Sequence, residues 1–292
     1  MDPKQLLRPS IVIAAVLTLT PLPLMGFWGE ATGRRLRALP TLVQLAAPAV
    51  LCVPYALVAT ASGDFHWLWL VLYALLPVAF AILLWRSKGF NSGWTELFVL
   101  AVLGLIVDLR LFESAWPAHL AVFNKMLLLH AGLYGFIVLR QLDGTGFDLR
   151  LRMCDAAIGI RELALYMPLA LAMGFGIGFL HRHRGWPGVA SIAMAWIFTF
   201  IVIAIPEELF FRGWLQNLLQ RRVGPNFALV LTAVIFGLAH FNKRSANFNW
   251  RYVLMAAFAG VFYGRAWRQQ CRVAAAVITH ASVDTIWSLW LR

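Results

Sequence analysis

The sequence predicts an all-α, polytopic integral membrane protein, with about eight to ten transmembrane helices and an intramembrane polar site in the C-terminal half. Three observations carry that expectation. Apolar residues make up 61% of the 292 and charged ones only 13%, about half the charged share of a soluble globular chain. The mean hydropathy is +0.74. The polar residues are gathered between ten apolar runs, most of them near the ~20 residues that a helix needs to cross the hydrocarbon.

In chain order the runs fall at 11–28, 41–61, 67–85, 94–107, 119–139, 163–180, 189–211, 227–241, 253–264 and 273–291. The fourth, eighth and ninth are short of a full crossing and need their flanks, so the expected number of spans is a range. Trp28, Trp67, Trp85, Trp94, Trp186, Trp250 and Trp290 stand at run ends, where an interfacial aromatic belt belongs. Lys4 and Arg8 precede the first run, and Pro21 and Pro23 are followed by no cleavage signal. That run reads as an uncleaved first helix. The longest polar connection, 140–162, interleaves Arg150 and Arg152 with Leu149, Leu151 and Met153. A surface-lying amphipathic helix and a solvated loop both fit it. Residues 1–180 are expected to form N-terminal membrane helices of unassigned role, and 181–292 the functional core.

The net charge is +12, from 25 Lys and Arg against 13 Asp and Glu. The basic residues lie mostly between apolar runs, so they read as topology signals and contacts with the lipid bilayer, and nucleic acid is not an expected partner. Their distribution puts the connections at 34–37, 150–152 and 221–222 on the cytoplasmic face. Cys52, Cys154 and Cys271 form no pair or CxxC spacing, which argues against a disulfide framework or a zinc knuckle.

Within the 189–211 run lies Ile205-Pro206-Glu207-Glu208-Leu209-Phe210-Phe211-Arg212. An ionisable group at membrane depth costs roughly 2.5–3.5 kcal/mol on insertion scales, so it turns inward to a partner. Glu208 and Arg212 are four residues apart, one helical turn along one face, acid first. Glu207 points about 100° away from them, which leaves it free to act. Pro206 lacks an N–H and is expected to kink the helix. A kink beside polar groups lines a cavity.

Two further intramembrane signals follow, Phe236-Gly-Leu-Ala-His240 late in the eighth run and His280-Ala-Ser-Val-Asp284 in the last. Taken singly, each has a plain structural reading. A lone histidine hydrogen-bonds a neighbouring helix, Glu208 with Arg212 is an ion pair, and Phe236 packs. Together they concentrate two Glu, one Arg, two His and one Asp in the last third of an otherwise apolar chain.

A free carboxylate with two imidazoles suits hydrolysis. The carboxylate accepts a proton from water, and a histidine positions that water or protonates a leaving amine. A His280–Asp284 pair can hold donors where an oxyanion develops. An ionised Asp284 has no hydrogen to give, so it would be protonated there or would orient His280. The same atoms also suit a divalent metal such as zinc or iron. The spacing does not decide between these uses, and it assigns no cofactor. No HExxH, GxSxG, Walker A or GxGxxG pattern competes with this set.

Glu-Glu-Xaa3-Arg, Phe-Xaa3-His and His-Xaa3-Asn/Asp, in this order on successive membrane helices, resemble the CAAX-protease and bacteriocin-processing (CPBP, or Abi) intramembrane endopeptidases. The matching residues are Glu207, Glu208, Arg212, Phe236, His240, His280 and Asp284, within roughly 185–290. The resemblance implies a membrane-embedded peptidase, glutamic or metal-dependent, acting on a membrane-associated peptide or protein substrate, in the plasma (inner) membrane. It implies that Glu207 and His240 activate water, that His280 and Asp284 stabilise the oxyanion, and that Glu208 and Arg212 support them. Asp284 stands where the prenyl-protease members have Asn. Two other readings use the same residues: a transporter or proton relay, and a non-catalytic immunity protein of the same fold.

Overall fold

Lipid offers no hydrogen bonds to a backbone, so a spanning segment must satisfy its own N–H and C=O groups. The computed structural model describes residues 8–88, 93–183, 185–243, 245 and 247–291, and among these residues the regular structure is helical, with no strand. The chain is an integral membrane protein. It divides into two compact units, 1–143 and 144–292.

The first unit holds α1 (Pro9–Leu19), α2 (Pro21–Arg37), α3 (Thr41–Ser62), α4 (Trp67–Arg86), α5 (Trp94–Asp108) and α6 (Ala118–Leu139). The first apolar run is not one straight helix. Pro21 takes the first position of α2, and the chain bends there by 41°, because proline starts a helix well and continues one badly. Helix α6 is the core of this unit, 78% buried over its apolar window against 33% and 28% for α3 and α4. Its polar groups are partnered accordingly. Tyr73 donates to Asn124 Oδ1 at 2.7 Å and accepts from Trp116 Nε1 at 2.7 Å. His130 Nε2 donates to the Thr18 carbonyl at 2.6 Å, and Arg140 pairs with buried Glu96.

The second unit holds α7 (Met153–Gly176), α8 (Val189–Val223), α9 (Pro225–Leu238), α10 (Trp250–Gln270) and α11 (Val273–Ile286), which widens into a π-helical turn at Trp287–Leu291. Helices α7, α10 and α11 pack against one another, α8 packs along α11, and α9 packs on α10. Residues 141–152 are non-helical, so the connection before α7 is a loop. Helix α7 belongs to this unit, and all of it precedes residue 181.

Among the described residues, five helices are long and apolar enough to cross a membrane, α3, α4, α6, α7 and α8, with a sixth if α1 and α2 form one span. The shorter runs account for the distance from eight to ten. Helices α5 and α9 stop at 15 and 14 residues. Helix α10 has 21 residues but carries Arg251, Arg265 and Arg268.

Two features fix α9 and α11 in place. A Cβ on Gly237 would lie 2.5 Å from the Val253 carbonyl and 2.6 Å from Ala257 Cβ, so the close approach of α9 to α10 requires glycine there. At the start of α11, Arg272 forks onto Asp155 of α7, at 2.8 Å through Nε and 2.9 Å through Nη2. It also reaches Asp148 at 3.2 Å and the Arg150 carbonyl at 2.8 Å.

Candidate active site

Helix α8 runs through Pro206 as one 35-residue helix. The expected kink is replaced by wide π-helical turns on both sides, Thr199–Ala204 and Leu209–Gln216. An i→i+5 register gives room for the proline ring and leaves its missing N–H without an obligatory partner. Such turns also change the direction in which the neighbouring side chains point.

Glu208 and Arg212 form the predicted pair, both fully buried, with Arg212 Nε 3.2 Å from Glu208 Oε2. Arg212 is held further by a 2.9 Å hydrogen bond from Nη2 to the Gly260 carbonyl. Its guanidinium lies over the Phe236 ring at 4.7 Å and the Tyr263 ring at 5.4 Å. A desolvated cation with a carboxylate, a carbonyl and two ring faces around it is well compensated.

The pair does not stand alone. Glu208 Oε1 accepts from His280 Nδ1 at 2.7 Å. The other ring nitrogen, Nε2, lies 3.5 Å from Asp284 Oδ2 and 3.9 Å from Glu207 Oε2. The adjacent carboxylates of Glu207 and Glu208 therefore meet opposite edges of one imidazole. Glu207 stands off the Glu208–Arg212 pair, as the helical angle predicts, and still reaches the same histidine. Its Oε2 is buried and has no hydrogen-bond partner.

The His280 ring plane is set by Tyr263, stacked at 4.6 Å and 12°, and by Phe236 edge-on at 5.8 Å and 88°. His240 lies in the turn just beyond α9 rather than within the helix. It is placed by Phe236 at 4.8 Å and by Tyr252, stacked at 5.2 Å. His240 Nδ1 donates to the Phe236 carbonyl at 2.8 Å. A carbonyl only accepts, so the proton of a neutral ring sits on Nδ1 and the lone pair on Nε2.

His240, His280 and Asp284 line the polar end of a cavity of about 70 Å³. Its walls are apolar, among them Met167, Phe179, Met255, Trp287 and Leu291. The cavity follows α11 from His280 to Leu291, roughly 16 Å at ~1.5 Å per residue.

All six predicted site residues thus gather in one place. Five are linked by direct contacts, and His240 joins them through Phe236 and the shared cavity. Tyr263, Tyr252 and Gly260 were not foreseen. The spacing Gly260-Xaa3-Gly264 on α10 is the one signal that marks this helix as a close neighbour. His280 Nδ1 is committed to Glu208 and His240 Nδ1 to a carbonyl. Among the described residues no three His, Cys, Asp or Glu are arranged to hold an ion.

Residues 188–286 match the model of a protein family described as type II CAAX prenyl endopeptidase, Rce1-like. That segment contains all six site residues. No curated protein and no solved structure matches the chain. Over residues 188–286, about a third of its length, the chain is therefore similar to the CAAX-type prenyl endopeptidases.

Proposed function

We propose that this protein hydrolyses a peptide bond of a membrane-associated, lipidated or exported substrate within the plasma (inner) membrane, with Glu207 as general base. The observation that carries the reading is Glu207 Oε2, buried without a hydrogen-bond partner and 3.9 Å from His280 Nε2. That gap is too long for a direct hydrogen bond and short enough for one water to touch both atoms.

In this reading Glu207 takes a proton from the water as it attacks the carbonyl carbon, and the Nε2 lone pair of His240 orients it. Negative charge then develops on the carbonyl oxygen. His280 meets it from Nε2, held in direction by Glu208 at Nδ1 and by the Tyr263 stack. To donate from both nitrogens the ring carries two protons, balanced by the carboxylates around it. Asp284 orients that edge of the ring. Collapse of the intermediate breaks the C–N bond, and the proton held by Glu207 passes to the leaving amine. The apolar cavity along α11 supports a hydrocarbon-rich substrate segment beside the scissile bond.

The test uses purified full-length protein in nanodiscs with labelled lipidated C-terminal and leader-type peptides. Cleavage by wild type and none by Glu207→Gln is the expected result. Equal cleavage by both removes Glu207 from the chemistry. Proton flux across vesicles with no cleavage of any peptide replaces the peptidase reading with the relay.

A further inference from the structure

Away from the active site, α7 and α10 share a second buried carboxylate with an unusual charge balance. Glu162 is fully buried, and two guanidiniums pair with it: Arg161 Nη2 at 2.7 Å from Oε1, and Arg265 Nε at 3.1 Å from Oε2. Among the described residues Glu162 is the only carboxylate within ion-pair distance of either arginine. The triad carries one net positive charge. Arg161 lies eight residues into α7, about 12 Å along the helix, and Arg265 five residues from the end of α10, about 8 Å. An unbalanced charge at that level calls for a counter-ion.

The surroundings say which kind. Both arginine side chains are nearly half exposed, and each engages Glu162 through one nitrogen of a five-donor fork. On α7, Leu165 and Leu169 follow Arg161 at four-residue intervals on the same face, and both are exposed. On α10, Arg265 lies over the Phe262 ring at 5.5 Å. Phe262, Phe258 and Tyr166 pack as one aromatic group beside it. A cationic fork at the head of an apolar ridge complements a molecule with a phosphate at one end and hydrocarbon at the other. Basic pockets between membrane helices bind anionic headgroups in this way.

We propose that the exposed face shared by α7 and α10 is a binding site for an anionic phospholipid, whose phosphodiester bridges Arg161 and Arg265 and whose acyl chain lies along Leu165 and Leu169. The site is separate from the peptidase reading and stands or falls without it.

The test is a titration of full-length protein in nonionic detergent with phosphatidylglycerol, phosphatidylcholine and inorganic phosphate, read as binding and as a rise in unfolding midpoint. Wild type should bind phosphatidylglycerol saturably and respond to neither of the others. Arg161→Gln leaves Glu162 with Arg265 as a neutral pair, so the protein should fold and bind phosphatidylglycerol about five-fold more weakly. Glu162→Gln leaves two uncompensated cations and should bind it more tightly. Arg150→Gln with Arg152→Gln removes two charges elsewhere and should leave the affinity for phosphatidylglycerol unchanged. Equal affinity in wild type and Arg161→Gln overturns the site, as does an equal response to phosphatidylcholine. An equal response to inorganic phosphate overturns the lipid as its occupant. If Arg161→Gln does not fold, Glu162→Gln decides, and unchanged affinity there rejects the proposal.

Discussion

Glu208 Oε1 lies 2.7 Å from His280 Nδ1, across 72 residues of sequence, while the other oxygen of the same carboxylate faces Arg212 Nε at 3.2 Å. One side chain therefore neutralises a buried cation and aims a histidine. These two duties can be separated by mutation.

Arg212→Ala strands Glu208 in a low-dielectric site, at a cost of about 3–5 kcal/mol, and should sharply lower the yield of folded, detergent-extracted protein. Glu208→Gln with Arg212→Met removes both charges and should recover much of that yield. Peptide cleavage should not return with it, because an uncharged amide no longer balances a doubly protonated His280. Wild-type cleavage by the double variant would show that His280 needs no carboxylate at Nδ1.

Glu207→Gln should lower turnover by about 10²–10⁴-fold, the usual contribution of a general base, with an unchanged unfolding midpoint. His240→Ala and His280→Ala should lose comparable activity. Single-turnover rates measured at saturating substrate check this. An effect confined to KM would place these residues in substrate binding alone.

Asp284 separates the glutamic from the metal mechanism. Asp284→Asn should keep activity, since an amide offers a donor to the oxyanion, while Asp284→Ala should lose it. A zinc site reverses the first outcome by weakening a carboxylate ligand. About one metal per chain, with chelator-sensitive and metal-restorable cleavage, would sink the metal-free version.

The Arg272 clasp should hold α11, and with it His280, against α7. Arg272→Ala leaves Asp155 buried without its forked partner and should cost about 3–5 kcal/mol, seen as a lower unfolding midpoint. Burial pushes the Asp148 carboxyl up, but hydrogen bonds from Arg150 and Arg272 outweigh it and hold it below its ordinary value. A depressed carboxylate stabilises the fold above its unfolded-state value, and that contribution is lost as pH falls through the folded one. Below about pH 4 the unfolding midpoint should therefore drop, and Asp148→Asn should flatten that part of the profile.

Cysteines placed singly at 150–152 and 221–222, in a chain lacking Cys52, Cys154 and Cys271, should share one accessibility to an impermeant reagent in intact cells. The start of α7 is tied to the start of α11 by Arg272. The end of α10 is tied to the start of α9 by Arg268 and Asn226, 3.2 Å apart. Both connections therefore lie at the same end of their unit. Opposite labelling at the two sites would contradict this arrangement, and labelling before lysis would move that end out of the cytoplasm.

The sequence alone was enough to read the helical membrane class, because lipid penalises each exposed polar group locally and leaves a record in every apolar run. It was also enough to bring together six site residues, since Glu207, Glu208, Arg212, His240, His280 and Asp284 are costly in such runs unless they share an interior. The pair Glu208–Arg212 was legible for the same reason, being one turn apart on one helix. Other relationships were decided only by tertiary structure. Which nitrogen of His280 meets which carboxylate depends on the π-turns flanking Pro206 and on how α8 packs along α11. The stack of Tyr263 on His280, the turn that carries His240, and the burial of α6 beneath its neighbours come from contacts between distant segments. Hydrophobic periodicity fixes what a segment can be, because its cost is settled residue by residue. Distances of a few ångströms between helices are set by packing, at places such as Gly237 where a single absent Cβ lets two backbones meet.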